Sequence, residues 1–219
     1  IIFGATGDLS LRMLFPSLYH LDCDGLLDER VRIIGASRSA LGDDAFRTLV
    51  AGALDARVPD RLDKTMRARF AQRISYCSID AHKGIGFEAL KDAAGQNTQI
   101  IFYLSTSPNL YGAICDHLSR TGLASDNSRI VVEKPIGHDL ASCRAINDCL
   151  AGTFAENRIF RVDHYLGKEA VQNLLALRFA NRLFEPLWNH VSIEYVEITV
   201  AETVGVEGRW SYYNEHGAM

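Results

Sequence analysis

The sequence predicts an α/β protein: a doubly wound parallel sheet, followed by the start of an α+β domain with a large, mainly antiparallel sheet. Three observations predict it. Short apolar runs alternate with helical patterns over the first two-thirds of the 219 residues, as repeated strand–helix–strand units require. A glycine turn, Gly4-Ala5-Thr6-Gly7, falls between the first apolar run and the first helical stripe. The last third then changes character, with an eleven-residue strand-like stretch from Val191 to Ala201. That is long for a doubly wound sheet and suits a different domain. A Rossmann-type unit over residues 1–165 and the beginning of a second domain over 166–219 follow from that change.

The elements come in order. Ile1 to Phe3 reads as the first strand. Leu11, Leu14, Phe15 and Leu18 recur at i, i+3, i+4 and i+7, the stripe of an amphipathic helix. Pro16 inside that stripe predicts a kink there, or a helix restarting after it, because its ring clashes with the carbonyl four residues back. Val31 to Ile34 is the second strand and Ile74 to Ile79 the third. Gln99 to Leu104 is a continuous apolar run, as a strand covered on both faces should be. Ile130 to Val132 and Ile159 to Val162 complete the series, with a helical pattern from Ala141 to Ala151 between them. Beyond them, Gly167 to Phe179 reads as a helix. In Val191 to Ala201 the apolar alternation jumps phase at Tyr195-Val196, as at a bulge or a strand buried on both faces.

Composition narrows the function. The formal charge is 23 − 27 = −4, and a mildly acidic chain makes a poor nucleic-acid binder. No apolar run approaches the ~20 residues that span a bilayer. The five cysteines, at 23, 77, 115, 143 and 149, are odd in number and irregular in spacing. They read as reduced thiols rather than a disulfide framework or a metal site, which fits a cytoplasmic protein. The strand-like start at Ile1 and the unpunctuated end at Met219 read as an internal piece of a longer chain.

Four polar segments fall where strands end. Gly4-Ala5-Thr6-Gly7-Asp8-Leu9 occupies the strand-to-helix junction, where backbone amides meet a pyrophosphate. The pattern is G-x-x-G rather than the full dinucleotide fingerprint, so position carries the inference. Gly35-Ala36-Ser37-Arg38 closes the second strand with a hydroxyl and a guanidinium in place of the acid that accepts from the ribose of NAD. An arginine grips phosphate with parallel bonds, so this end favours NADP. Glu133-Lys134-Pro135-Ile136-Gly137 follows the Ile130–Val132 strand and aims Lys134 at the ligand crevice. Finally, Arg161-Val162-Asp163-His164-Tyr165-Leu166-Gly167-Lys168-Glu169 packs six ionisable side chains into nine residues. In it His164, Tyr165 and Lys168 are donors suited to a phosphate.

On Gly4-Ala5-Thr6-Gly7-Asp8-Leu9, Glu133-Lys134-Pro135, the run from Arg161 to Glu169 and Glu207-Gly208-Arg209, the sequence resembles the glucose-6-phosphate dehydrogenase family of the bacterial cytosolic type, along the whole chain. The nine-residue run is close to diagnostic; the glycine loop is not. The resemblance implies oxidation of glucose 6-phosphate at C1 to a lactone, with NADP as hydride acceptor. It implies that Gly4, Ala5, Thr6, Gly7, Asp8, Leu9, Arg38, Asp80 and Tyr111 line the cofactor site. Lys134 would stand between cofactor and sugar. His164, Tyr165 and Lys168 would hold the sugar phosphate, and Glu202 would bond sugar hydroxyls. Asp163 would orient a base histidine carried by a segment beyond Met219. An imidazole of near-neutral pKa suits that proton transfer, and a carboxylate on its other nitrogen fixes its tautomer. The resemblance also implies a homodimer or homotetramer. The family's usual basic residue is replaced here by Met13.

His164 does not fit the role of base. It neighbours Asp163, and adjacent residues on an extended segment point to opposite sides. Two other readings compete: a Rossmann oxidoreductase acting on a non-phosphorylated sugar, and a non-catalytic NADP-sensing module. A neutral sugar needs no cluster such as His164, Tyr165 and Lys168, which argues against the first. A complete gene without the downstream histidine would favour the second.

Overall fold

The computed structural model describes residues 1–61, 63–96, 99–199 and positions 210 and 214. The chain divides into two compact units, Ile1–Arg161 and Val162–Met219.

In the first unit, six parallel strands form one sheet: β1 (Ile2–Phe3), β2 (Ile33–Ser37), β3 (Ile74–Ser78), β4 (Ile101–Leu104), β5 (Arg129–Val132) and β6 (Ile159–Arg161). Their order is β3-β2-β1-β4-β5-β6, and every pairing is parallel. The chain therefore winds outward one way from β1, returns, and winds outward the other way from β4. The connections open a crevice at the carboxyl ends of β1 and β4.

Both sheet faces are covered, and the strand period of two explains how. Ile2 and Ile33 enter one core with Phe15, Tyr19, Phe46, Leu54 and Phe70. Their neighbours Phe3 and Ile34 enter the other with Phe87, Leu90, Phe102, Leu118 and Leu150. Alternate residues face opposite sides, and both sides are apolar, so the strands read as unbroken hydrophobic runs. The helices that supply these contacts are α1 (Phe15–Cys23), α2 (Asp43–Arg57), α3 (Lys64–Gln72), α4 (Phe87–Ala94), α5 (Tyr111–Thr121) and α6 (Leu140–Thr153). Asp139 caps α6 by accepting from the Ser142 amide at 2.7 Å.

Two local results differ from the sequence pattern. The kink expected at Pro16 takes the form of a π-helical turn, Ser10–Leu14, in which the Phe15 amide donates to Ser10 O. Widening the turn just before the proline moves aside the carbonyl its ring would strike. The second strand lies further along than Val31–Ile34. It runs through Gly35, Ala36 and Ser37, and Gly35 passes close under the Phe46 ring, where an added Cβ would lie 2.5 Å from two ring carbons.

In the second unit, α7 spans Glu169–Phe179 after a 3₁₀ turn at His164–Gly167. The long strand expected over Val191–Ala201 is not formed across 192–199, and the last two positions of that range lie outside the described residues. A strand exists only as part of a ladder. None of the described residues pairs with this stretch, so the antiparallel sheet expected for 166–219 is not seen.

Candidate functional site

Because all six strands are parallel, the polar segments that follow them share one edge of the sheet. The glycine loop leaves β1 and the Ser37-Arg38 turn leaves β2. Ser105 follows β4, and Glu133-Lys134 follows β5.

The loop is built for close approach. Gly4 has φ +76°, and a Cβ there would meet Ser105 O at 2.0 Å. The Gly4 amide donates to Ala36 O at 2.8 Å and the Gly7 amide to Gly4 O at 2.9 Å. The buried Ser10 hydroxyl lies 3.0 Å from Gly4 O and 3.1 Å from Ser105 Oγ. The turn is thereby tied to β2 on one side and to the end of β4 on the other. Gly7 and Asp8 are exposed above it, at the start of the helical segment, where first-turn amides lack intrahelical acceptors. This is the geometry that admits a pyrophosphate, and these residues fit a dinucleotide. Ala5, expected in the cofactor site, is instead fully buried, and its amide turns toward Ala36 O. It supports the loop from beneath. Asp8 pairs at 3.6 Å with Arg12, one turn on. Replacing Gly4 by Ala should cost about 2 kcal/mol, since a left-handed φ and a backbone clash coincide there. Thermal unfolding measures that loss, and an unchanged melting temperature would show that the loop yields easily.

Arg38 is exposed immediately past β2. Ser37, the hydroxyl expected beside it, is already engaged: its Oγ lies 2.7 Å from Tyr76 Oη and 3.0 Å from Thr6 Oγ1. The Asp80 carboxylate is engaged by its own turn, where Oδ1 accepts from the His82 amide at 3.0 Å and the Lys83 amide at 3.2 Å.

The β5 end is held from below. The Tyr103 hydroxyl on β4 donates to the Glu133 carboxylate. Glu133 is buried, whereas its neighbour Lys134 is exposed. Burial, reinforced by the Glu133 hydrogen bond, pushes the Tyr103 phenol well above its usual pKa. The Lys134–Pro135 peptide is cis. Tyr111, expected in the cofactor pocket, is 1% exposed and donates to Glu133 O at 3.3 Å. Burial pushes its pKa up to about 12. Tyr111 therefore braces the wall beneath Lys134 instead of offering an open surface. The sequence pattern by itself assigns no role to Glu133 or Tyr103. Their positions at paired strand ends were the available signal.

In the second unit, Asp163 accepts from the Tyr165 amide through Oδ1 at 3.0 Å and so caps the turn that carries His164 and Tyr165. Lys168 is the N-cap of α7, and its Nζ lies 4.4 Å from the Tyr165 ring centroid. Cation and ring are thus held beside the N-terminus of an eleven-residue helix, a setting that favours an anion. Arg161, first of the nine-residue run, belongs to the other unit, bonded to Asn147 at 2.9 Å and Glu156 at 2.8 Å. Glu202 lies outside the described residues. Among the described residues, no group of three or more His, Cys, Asp or Glu side chains is arranged to hold a metal, and no helix is long and apolar enough to cross a membrane.

Fold and loop together define a dinucleotide-binding domain of the doubly wound class. Residues 1–173 match the family described as glucose-6-phosphate dehydrogenase, NAD binding domain, and residues 175–219 match its C-terminal domain. The chain belongs to the glucose-6-phosphate dehydrogenase family. It is 49% identical over its whole length to the glucose-6-phosphate 1-dehydrogenase of Zymomonas mobilis, covering 46% of that protein. It is 45% identical to that of Rhizobium meliloti, again over the whole chain and 45% of the relative. The crystal structure of the Mycobacterium avium enzyme superposes with a TM-score of 0.88 at 36% identity, over 99% of this chain and 47% of that one. A glucose-6-phosphate dehydrogenase in complex with its substrate glucose-6-phosphate gives 0.86 at 35% identity, over 98% and 46%. The chain thus spans about half the length of the relatives it matches.

Proposed function

We propose that the complete protein carrying this chain oxidises glucose 6-phosphate at C1 to 6-phosphoglucono-1,5-lactone, with NADP as hydride acceptor. One observation carries the reading beyond the family: His164, Tyr165 and Lys168 stand on a capped turn at a helix N-terminus, an arrangement that suits a phosphate. Residues 1–165 are the nucleotide domain, and 166–219 begin the substrate domain and its antiparallel sheet. The nicotinamide supplies the hydride chemistry when bound. The loop from Gly4 to Leu9 approaches the pyrophosphate with its backbone, Ala5 from below. Arg38 takes the 2′-phosphate, with Asp80 and Tyr111 shaping the pocket. Lys134, held by the wall of Tyr103, Glu133 and Tyr111, stands between the two ligands. Glu202 bonds sugar hydroxyls, and Asp163 orients the imidazole that accepts the C1 hydroxyl proton. The protein works in the cytoplasm as a homodimer or homotetramer.

Mixing the complete protein with glucose 6-phosphate and NADP should produce NADPH absorbance at a rate that free glucose approaches only at far higher concentration. Equal rates at equal concentration would overturn the reading. Arg38→Ala should weaken NADP binding on the order of tenfold or more, the range of a charge-assisted hydrogen bond. Its effect on NAD should be much smaller. Calorimetric titration with each cofactor checks this, and equal losses would remove Arg38 from the 2′-phosphate.

A further inference from the structure

The geometry points to Tyr76 as a positioning residue for cofactor choice: its phenol pins the Ser37-Arg38-Ser39 turn in the shape that presents Arg38. This rests on the assignment of Arg38 to the 2′-phosphate, and it adds a residue that touches neither cofactor nor sugar. Tyr76 lies on β3, 8% exposed, with its ring 4.7 Å from that of Phe46. Its hydroxyl lies 2.7 Å from Ser39 O, 3.1 Å from Ser37 O and 2.7 Å from Ser37 Oγ. The carbonyls on both sides of Arg38 therefore converge on one phenol. Its backbone is also fixed, since the Tyr76 amide donates to Asp43 Oδ1 at 2.8 Å, in the first turn of α2.

Counting protons gives the network a direction. A phenol has one hydrogen, and carbonyls can only accept, so the Tyr76 proton goes to the Ser39 and Ser37 carbonyls. The Ser37 hydroxyl must then donate to Tyr76 Oη. Thr6 Oγ1, 3.0 Å from Ser37 Oγ, is left to donate to Ser37. The chain Thr6–Ser37–Tyr76–Ser39 thus links the phosphate loop after β1 to the arginine turn after β2. It commits the Ser37 proton inward. Arg38 is left as the strong donor at that end, and the Tyr76 phenol fixes the backbone from which it projects. Without the phenol, Ser37 O keeps the Ile79 amide at 2.9 Å and Ser39 O the Leu41 amide at 3.0 Å, but the one donor that joins the two sides of Arg38 is gone. The turn then samples other conformations, and Arg38 must be ordered anew each time a 2′-phosphate binds.

The test uses the complete protein and two nucleotide fragments, adenosine 2′,5′-bisphosphate and AMP, titrated calorimetrically. Tyr76→Phe keeps the ring against Phe46 and removes only the hydroxyl. It should weaken the bisphosphate about five- to tenfold, the range one net hydrogen bond covers, and leave AMP within about twofold. The melting temperature of the variant is measured alongside. If Tyr76→Phe fails to fold, Tyr76→Met removes the same hydroxyl with a more adaptable side chain and should shift selectivity in the same direction. In an Arg38→Ala background, Tyr76→Phe should have no further effect on the bisphosphate, because a pin without its arginine has nothing to present. If Arg38→Ala itself weakens both ligands alike, the 2′-phosphate assignment falls. If Arg38→Ala is selective while Tyr76→Phe weakens both ligands equally or neither, Tyr76 is ordinary core and the positioning role is overturned.

Discussion

Asp22→Ala should lower stability by about 3 kcal/mol, the near end of the cost of breaking a buried ion pair. In a domain of this size that corresponds to a fall in melting temperature of about 6–12 °C. Asp22 is 1% exposed near the carboxyl end of α1, where the helix dipole disfavours a negative charge. Two cations from the end of α3 hold it there. Arg69 donates to Oδ2 at 3.1 Å and to the Asp22 carbonyl at 2.7 Å. Arg73 Nε lies 3.0 Å from Oδ1, and the same guanidinium donates to Asp28 O at 2.7 Å and Val31 O at 3.1 Å. One carboxylate therefore fastens α1, α3 and the approach to β2. Its removal leaves the Arg73 side chain, 9% exposed, without its counter-charge. Arg69 is half exposed and recovers water, which is why the lower figure applies. Asp22→Asn keeps the shape and one acceptor, so it should lose less. If Asp22→Ala melts with the parent, the cluster is incidental to the fold.

This cluster was invisible in the sequence, and the reason is general. Asp22 lies more than forty residues from Arg69 and Arg73, and each alone reads as a surface charge. What the sequence did carry is whatever repeats or whatever is local. Ile130–Val132 and Gln99–Leu104 announced strands because both sheet faces are apolar there. Ala141–Ala151 announced α6 because its helical pattern runs unbroken. The pattern places the second strand too early because Gly35-Ala36-Ser37 has poor strand propensity. Tertiary packing against Phe46 overrides it, and Gly35 is required there because nothing larger fits. The stretch after Val191 was read as a strand on its alternation alone, yet alternation supplies no partner to pair with. Among the candidate site residues, those proposed to act through their own type, Arg38, Lys134 and Lys168, can be named from the sequence. Those that act through a neighbour cannot. Tyr76 and Tyr103 are ordinary strand residues, and Ser105 an ordinary loop residue, until the sheet order brings β3 beside β2 and β4 beside β1 and β5. Tyr111 and Ala5 show the converse, since position in a motif did not reveal that both face inward.

Lys168→Ala in the complete protein should reduce kcat/KM for glucose 6-phosphate on the order of 10- to 100-fold, the scale of one charge-assisted bond to phosphate. Oxidation of free glucose at high concentration should fall by less than about threefold, because a neutral sugar draws nothing from the ammonium. The structure supplies the reason to expect such selectivity. Lys168 caps α7, so its backbone is fixed: Val171 and Gln172 both donate to its carbonyl at 3.0 Å. Its side chain rests over the Tyr165 ring, which narrows where the charge can sit. Tyr165 in turn is held because Asp163 accepts from its amide. Lys168→Arg should retain part of the activity, as the guanidinium keeps the charge but not the ammonium's compact shape. The residue is exposed, so the alanine variant should melt within about 1 °C of the parent, which separates a binding loss from a folding loss. If glucose and glucose 6-phosphate suffer alike, Lys168 orders the substrate domain rather than the phosphate. The cluster with His164 and Tyr165 would then need another ligand.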